Sequence, residues 1–152
     1  MARRGRPSTP AVLDASVWLK LFIAEPDSAD AVALVEGEGR PVAPDLLFVE
    51  VANVLWLKRR QGTLTAEQVG QAVDSLLQLF SVFDVVWSVE LMGDALDLAV
   101  DLDHPVYDCF YLALAQRYDV PLVTADRAFW RRVRRHRPGA KIRLLGSTAS
   151  AV

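Results

Sequence analysis

Ala11-Val12-Leu13-Asp14-Ala15-Ser16 is an apolar run of strand length that stops abruptly on a carboxylate. A short apolar segment closed by turn-forming residues reads as a strand buried on both faces, although its length also fits the start of a helix. As a strand it carries Asp14 at its carboxyl end, the edge at which open parallel sheets bind ligands. Three further acids, Glu50, Asp108 and Asp126, interrupt apolar segments in the same way.

Working outward, strand and helix patterns alternate. Ser16 is placed to cap a helix through Phe22, and Pro26-Asp27 opens a second that Gly37 and Gly39 stop. Prolines bracket a very short strand at residues 41–44, and a central strand interior would not accept them. Residues 45–61 read as a helix apolar nearly all round, with a face for the sheet and one for a second helix or a partner subunit. Thr65-Ala66-Glu67-Gln68 has the form of a capping box, and the helix it begins runs to about Phe80. A strand around Val85-Val86, a helix capped by Ser88, a helix over 107–118, a strand over 121–124, an Arg-rich helix after Asp126 and a last strand at 142–145 complete the pattern. Such alternation implies one α/β domain on a parallel sheet.

The length of 152 residues fits a single domain, read as residues 11–146 between a basic arm (1–10) and a frayed end (147–152). With 52% hydrophobic and 24% charged residues the chain is not of the disordered class. Its one cysteine, Cys109, excludes an internal disulfide framework and fits a reducing compartment. The longest apolar stretch, 46–57, contains Glu50 and Asn53 and falls short of the roughly 20 residues a bilayer span needs. A soluble, cytoplasmic protein without a membrane segment is expected.

Each acid has a bland explanation. Asp126 fits an N-cap, Asp14 a strand-to-helix turn, and Asp108 gains from the dipole of the helix it begins. Glu50 does not fit one so easily, because it shares a stripe with Leu46 and Val54, and ionised carboxylates are rarely buried without a partner. Lysine occurs only at Lys20, Lys58 and Lys141, so cations for these acids are scarce. If the four converge, each close pair repels by roughly 4 kcal/mol at about 4 Å with an effective dielectric near 20. A divalent cation offsets that directly, and an all-oxygen donor set selects Mg²⁺ or Mn²⁺ over Zn²⁺. His104 and His136 lack zinc spacing and read as loop or surface residues, Cys109 reads as core filler, and Asp101 and Asp103 read as loop solvation. The dense arginines at 131–137 read equally as a solvated face or a phosphate contact.

Val12-Leu13-Asp14-Ala15-Ser16, the helical Glu50, His104-Pro105-Val106-Tyr107-Asp108 with the apolar run after it, and Leu122-Val123-Thr124-Ala125-Asp126 together resemble the ordered motifs of PIN-domain ribonucleases, and more narrowly VapC-type toxins of toxin–antitoxin pairs. The resemblance implies a three-layer α/β/α fold with four to five parallel strands. In it Asp14, Glu50, Asp108 and Asp126 hold one or two Mg²⁺ or Mn²⁺ ions, supported by the hydroxyls of Ser16 and Thr124. It further implies hydrolysis of RNA phosphodiesters by a metal-activated water, a VapB-type antitoxin as partner and a homodimer. Arg131, Arg132, Arg134 and Arg135 are candidate RNA contacts. Two alternatives stand beside it. One is a binding module of the same fold without cleavage. The other is an aspartyl phosphatase, which fits poorly because Ser16 stands where such sites want a second acid.

Overall fold

In the computed structural model, which describes residues 10–37 and 39–147, the opening apolar run is the central strand of a sheet. The strands are short: β1 (Val12–Leu13), β2 (Val42–Pro44), β3 (Asp84–Val86), β4 (Leu122–Thr124) and β5 (Ile142–Leu144). They run parallel in the order β3-β2-β1-β4-β5. The expected basic arm and frayed end lie outside the described residues except for Pro10 and Ser147.

Helices α1 (Ala15–Phe22), α2 (Ser28–Gly37), α3 (Leu46–Arg60) and α4 (Ala66–Leu79) connect the first three strands, and α5 (Met92–Leu102), α6 (Val106–Arg117) and α7 (Arg127–His136) the rest. Successive strand residues point to opposite faces. Val12, Val42, Leu122 and Ile142 therefore pack with α5, α6 and α7, while Leu13, Ala43 and Val123 pack with α1 to α4. The result is the expected three-layer α/β/α arrangement with five strands.

Several local expectations change. The prolines do not push β2 to the edge, since it lies between β3 and β1. The ladder absorbs Pro44 because the register Val12↔Val42, with Val42 N–H donating to the Ala11 carbonyl, would next have residue 44 donate to the Leu13 carbonyl. That oxygen instead accepts from the Trp18 indole N–H at 3.0 Å. Ser88 does not cap a helix. It begins a 3₁₀ turn, and its N–H (2.7 Å) and hydroxyl both donate to the Asp45 carboxylate at the start of α3. Nor is α3 covered on two sides. Leu47, Val51 and Leu55 are buried, whereas Val49 and Trp56 are 66% and 56% exposed.

The capping box forms as expected, with Thr65 Oγ1 accepting from Gln68 N–H and the Gln68 side chain accepting from Thr65 N–H. Asp101 and Asp103 do more than solvate a loop. Asp101 pairs with Arg137 at 2.8 Å and Asp103 approaches Arg132 at 4.0 Å, so the end of α5 is clipped to α7. Asp103 itself takes the left-handed conformation (φ 46°) that closes α5, one that aspartate tolerates better than most side chains.

Candidate active site

β1 delivers Asp14 to the carboxyl edge of the sheet, where it is the N-cap of α1 and only 2% exposed. The cap is thus Asp14 and not Ser16, because Asp14 Oδ1 accepts from Val17 N–H at 3.3 Å. Ser16 takes a different task. Its hydroxyl donates to Asp14 Oδ1, accepts from Ala125 N–H at 2.9 Å and lies 3.5 Å from Thr124 Oγ1. Thr124, fully buried at the end of β4, accepts in turn from Asp126 N–H at 3.0 Å. The two hydroxyls therefore tie the loop after β4 to the turn after β1, which fixes Asp126 relative to Asp14.

Asp126 acts as the N-cap of α7, with Oδ1 accepting from Ala128 and Phe129 N–H at 2.8 and 3.0 Å. Capping and site membership are compatible, since those bonds use one oxygen. Glu50, half-buried on the flank of the α3 stripe, accepts from the hydroxyl of the fully buried Tyr111 of α6. Asp108, in the first turn of α6, meets His104 Nε2 through Oδ2 at 2.7 Å. His104 is thus no ordinary loop residue. Its ring stacks on Phe129 of α7 at 4.7 Å between centroids. Tyr111 and His104 were missed as supporting residues because neither shows a local signal beyond standing on one side of an acid on the same helix or turn.

The electrostatics join these acids into one system. Burial pushes the Asp14 carboxyl up to about 7 against the Ser16 hydrogen bond, with repulsion from Asp108 adding to the rise. Burial likewise raises Glu50 and Asp108, Glu50 feeling Asp108 and Asp108 feeling Asp126. No Lys or Arg among the described residues pairs with any of the four. The side chains are not drawn together as they stand. Among the described residues no three His, Cys, Asp or Glu groups are gathered closely enough to hold an ion, each acid being turned to its own hydrogen-bond donors. The donor set nonetheless fits a hard divalent cation, because it is carboxylate oxygen around a buried acid that no cation compensates. Cys109 next to Asp108 is buried and its thiol is pushed up to about 11, which suits core filler and not a nucleophile.

The roomiest cavity described, about 500 Å³, is lined by Ile23, Glu25, Lys58, Leu64 and Gln68 among others and by none of the four acids.

A five-stranded parallel α/β domain with buried or half-buried, cation-poor carboxylates along its carboxyl edge defines the class: a parallel-sheet fold with an acidic edge. The PIN domain model matches residues 11–135, and the chain belongs to the PIN-domain family. It is 34% identical over 116 residues to a protein of Pyrobaculum aerophilum named Ribonuclease VapC3, a match covering 76% of this chain and 88% of that one. Solved structures of similar fold include that of PAE2754 from Pyrobaculum aerophilum (TM-score 0.64, 24% identity, 89% of this chain and 91% of that chain). VapC20 of Mycobacterium tuberculosis, described as a sarcin-ricin loop cleaving toxin, has a TM-score of 0.59 at 16% identity, covering 76% and 87%. A toxin–antitoxin complex from Klebsiella pneumoniae has a TM-score of 0.60 at 15% identity, covering 88% and 95%.

Proposed function

We propose that the chain is an endoribonuclease that depends on Mg²⁺ or Mn²⁺ and serves as the toxin of a toxin–antitoxin pair. The single observation that carries the metal-dependent site is Asp14, almost fully buried at the sheet edge, repelled by Asp108 and with no Lys or Arg paired to it among the described residues. Family membership and the relative named a ribonuclease supply the substrate class. Asp14, Glu50, Asp108 and Asp126 would hold the ion. Bound there, a divalent cation would supply Lewis acidity toward the phosphate and a more acidic water. Ser16 and Thr124 keep Asp14 and Asp126 in register, Tyr111 holds Glu50, and His104 holds Asp108.

Asp14→Asn and Asp108→Asn test this reading. Each should abolish RNA cleavage and growth inhibition while the circular dichroism spectrum stays native; retained cleavage sinks the assignment. Chelation should stop cleavage by the unaltered chain, and Mn²⁺ should restore it. One observation favours the binding-module alternative, namely that the carboxylates are not drawn together. Calorimetry decides between the two, because a module without metal would give no Mn²⁺ binding heat.

The partner is an antitoxin, as in the toxin–antitoxin complex whose fold this chain shares. A homodimer is the expected form of the free toxin. Exposed apolar side chains on α3 and α4, among them Trp56, Val73 and Leu77, and Met92, Leu96 and Val100 on α5 supply surfaces for these contacts. No helix among the described residues is long and apolar enough to cross a membrane, and the cytoplasm is the proposed location.

A further inference from the structure

α7 carries five arginines in ten residues and no acid, and the fold divides the arginines of this region into two sets. Arg132 and Arg137, both half-buried, face α5 and pair with Asp103 and Asp101. Arg127, Arg131, Arg134 and Arg135 are exposed and form no ion pair among the described residues. At 3.6 residues per turn these four fall within about 100° around the helix and span about 12 Å along it. They form one stripe opposite the buried Phe129 and Val133.

Helix stability explains only part of this stripe. Arg134 and Arg135 stand in the last turn, where the dipole favours cations. Arg127 is the first helical residue, where the dipole disfavours a cation, and it directly follows Asp126. A cation kept there against the local field points outward, to an anion. The acids of the sheet edge repel a polyphosphate, so a strand laid over that edge needs cationic groups beside it. Exposed guanidinium groups, always charged and matched to phosphate oxygens, meet that need.

We propose that Arg127, Arg131, Arg134 and Arg135 form a phosphate track that leads a single RNA strand along α7 to the acidic edge at Asp126. This rests on the ribonuclease reading above. It also revises the candidate set, adding Arg127 and assigning Arg132 to the α5 clip.

The test is binding of a fluorescein-labelled single-stranded RNA of about 20 nucleotides, followed by anisotropy in chelator so that no cleavage occurs, at about 50 to 200 mM KCl. The Arg127→Gln/Arg131→Gln/Arg134→Gln variant should lose about 2 from the slope of log affinity against log salt, at about 0.7 per phosphate contact. Arg132→Gln/Arg137→Gln should keep the parent slope, with circular dichroism confirming that both variants fold. An unchanged slope in the triple variant overturns the track and leaves the stripe to an acidic protein surface. An equal fall in the control variant, or no RNA binding by the unaltered chain, overturns it too. Cleavage by the unaltered chain is scored separately: if it cleaves and the slopes do not differ, only the track falls, and if it never cleaves RNA, the function reading falls with it.

Discussion

Asp14 makes the stability of the metal-free protein depend on pH. Its carboxyl rises from an ordinary 3.8 to about 7 in the folded state, mainly through burial. The folded protein therefore holds this proton more tightly than the unfolded chain. The contribution is complete below about pH 4 and is lost as pH rises toward 7, amounting to roughly 4 kcal/mol if the whole change is realised. Urea unfolding in chelator should show stability falling over that window, and Asp14→Asn should flatten the fall; an unchanged profile in the variant would assign it elsewhere. A cation competes with the same proton, so Mn²⁺ affinity should strengthen with rising pH over the same range. His104 makes a second case. By holding Asp108 Oδ2 while stacked on Phe129, it restrains the orientation of that carboxylate. His104→Ala should weaken Mn²⁺ binding about 10- to 100-fold by calorimetry, and His104→Gln, whose amide can still donate, should recover part of it. Equal affinity in all three proteins would reduce His104 to packing.

At the level of the element, the join between β1, β2 and α1 is a substitution of one donor for another. Pro44 has no N–H to give the Leu13 carbonyl, and the Trp18 indole supplies one from the next helix. Trp18→Phe should cost about 1–3 kcal/mol in chemical denaturation by leaving a buried carbonyl unpaired. Adding Pro44→Ala restores a strand N–H at that position, so the double variant should be less destabilised than the sum of the singles. Strict additivity would show that the indole bond is incidental. Elements such as this were only partly legible beforehand. The capping box at Thr65 and the N-cap at Asp126 are local patterns, and both form. Ser16 and Ser88 have the same local look, yet the first turns back to Asp14, itself the cap, and the second to Asp45, a neighbour distant in sequence.

For the molecule as a whole, the parallel α/β class was legible because buried strands and amphipathic helices carry different periods. The strand order was not, since β2 reads as an edge strand yet lies inside the sheet, with the Trp18 indole serving the Leu13 carbonyl that Pro44 cannot. The candidate site was legible as four acids out of keeping with their surroundings. Its supports were less so. Tyr111 looks like any core aromatic, and the pairing of Asp101 with Arg137 joins residues far apart in the chain. The exposure of Val49 and Trp56 was hidden for the opposite reason: an apolar side chain carries no mark of whether it faces this chain's core or another molecule.

β1 lies at the centre of the sheet and bonds on one side to β4, Val12 N–H donating to the Pro121 carbonyl. The strand that carries Asp14 is synthesised well before β4, which completes its surroundings. On a translating ribosome, then, Asp14 and Glu50 emerge before Asp108, Thr124 and Asp126, and the loop joining β1 to β4 can close only after β4 has been released. A nascent copy therefore lacks part of the acidic edge until β4 has emerged. Topology alone keeps that edge incomplete until β4 has left the ribosome.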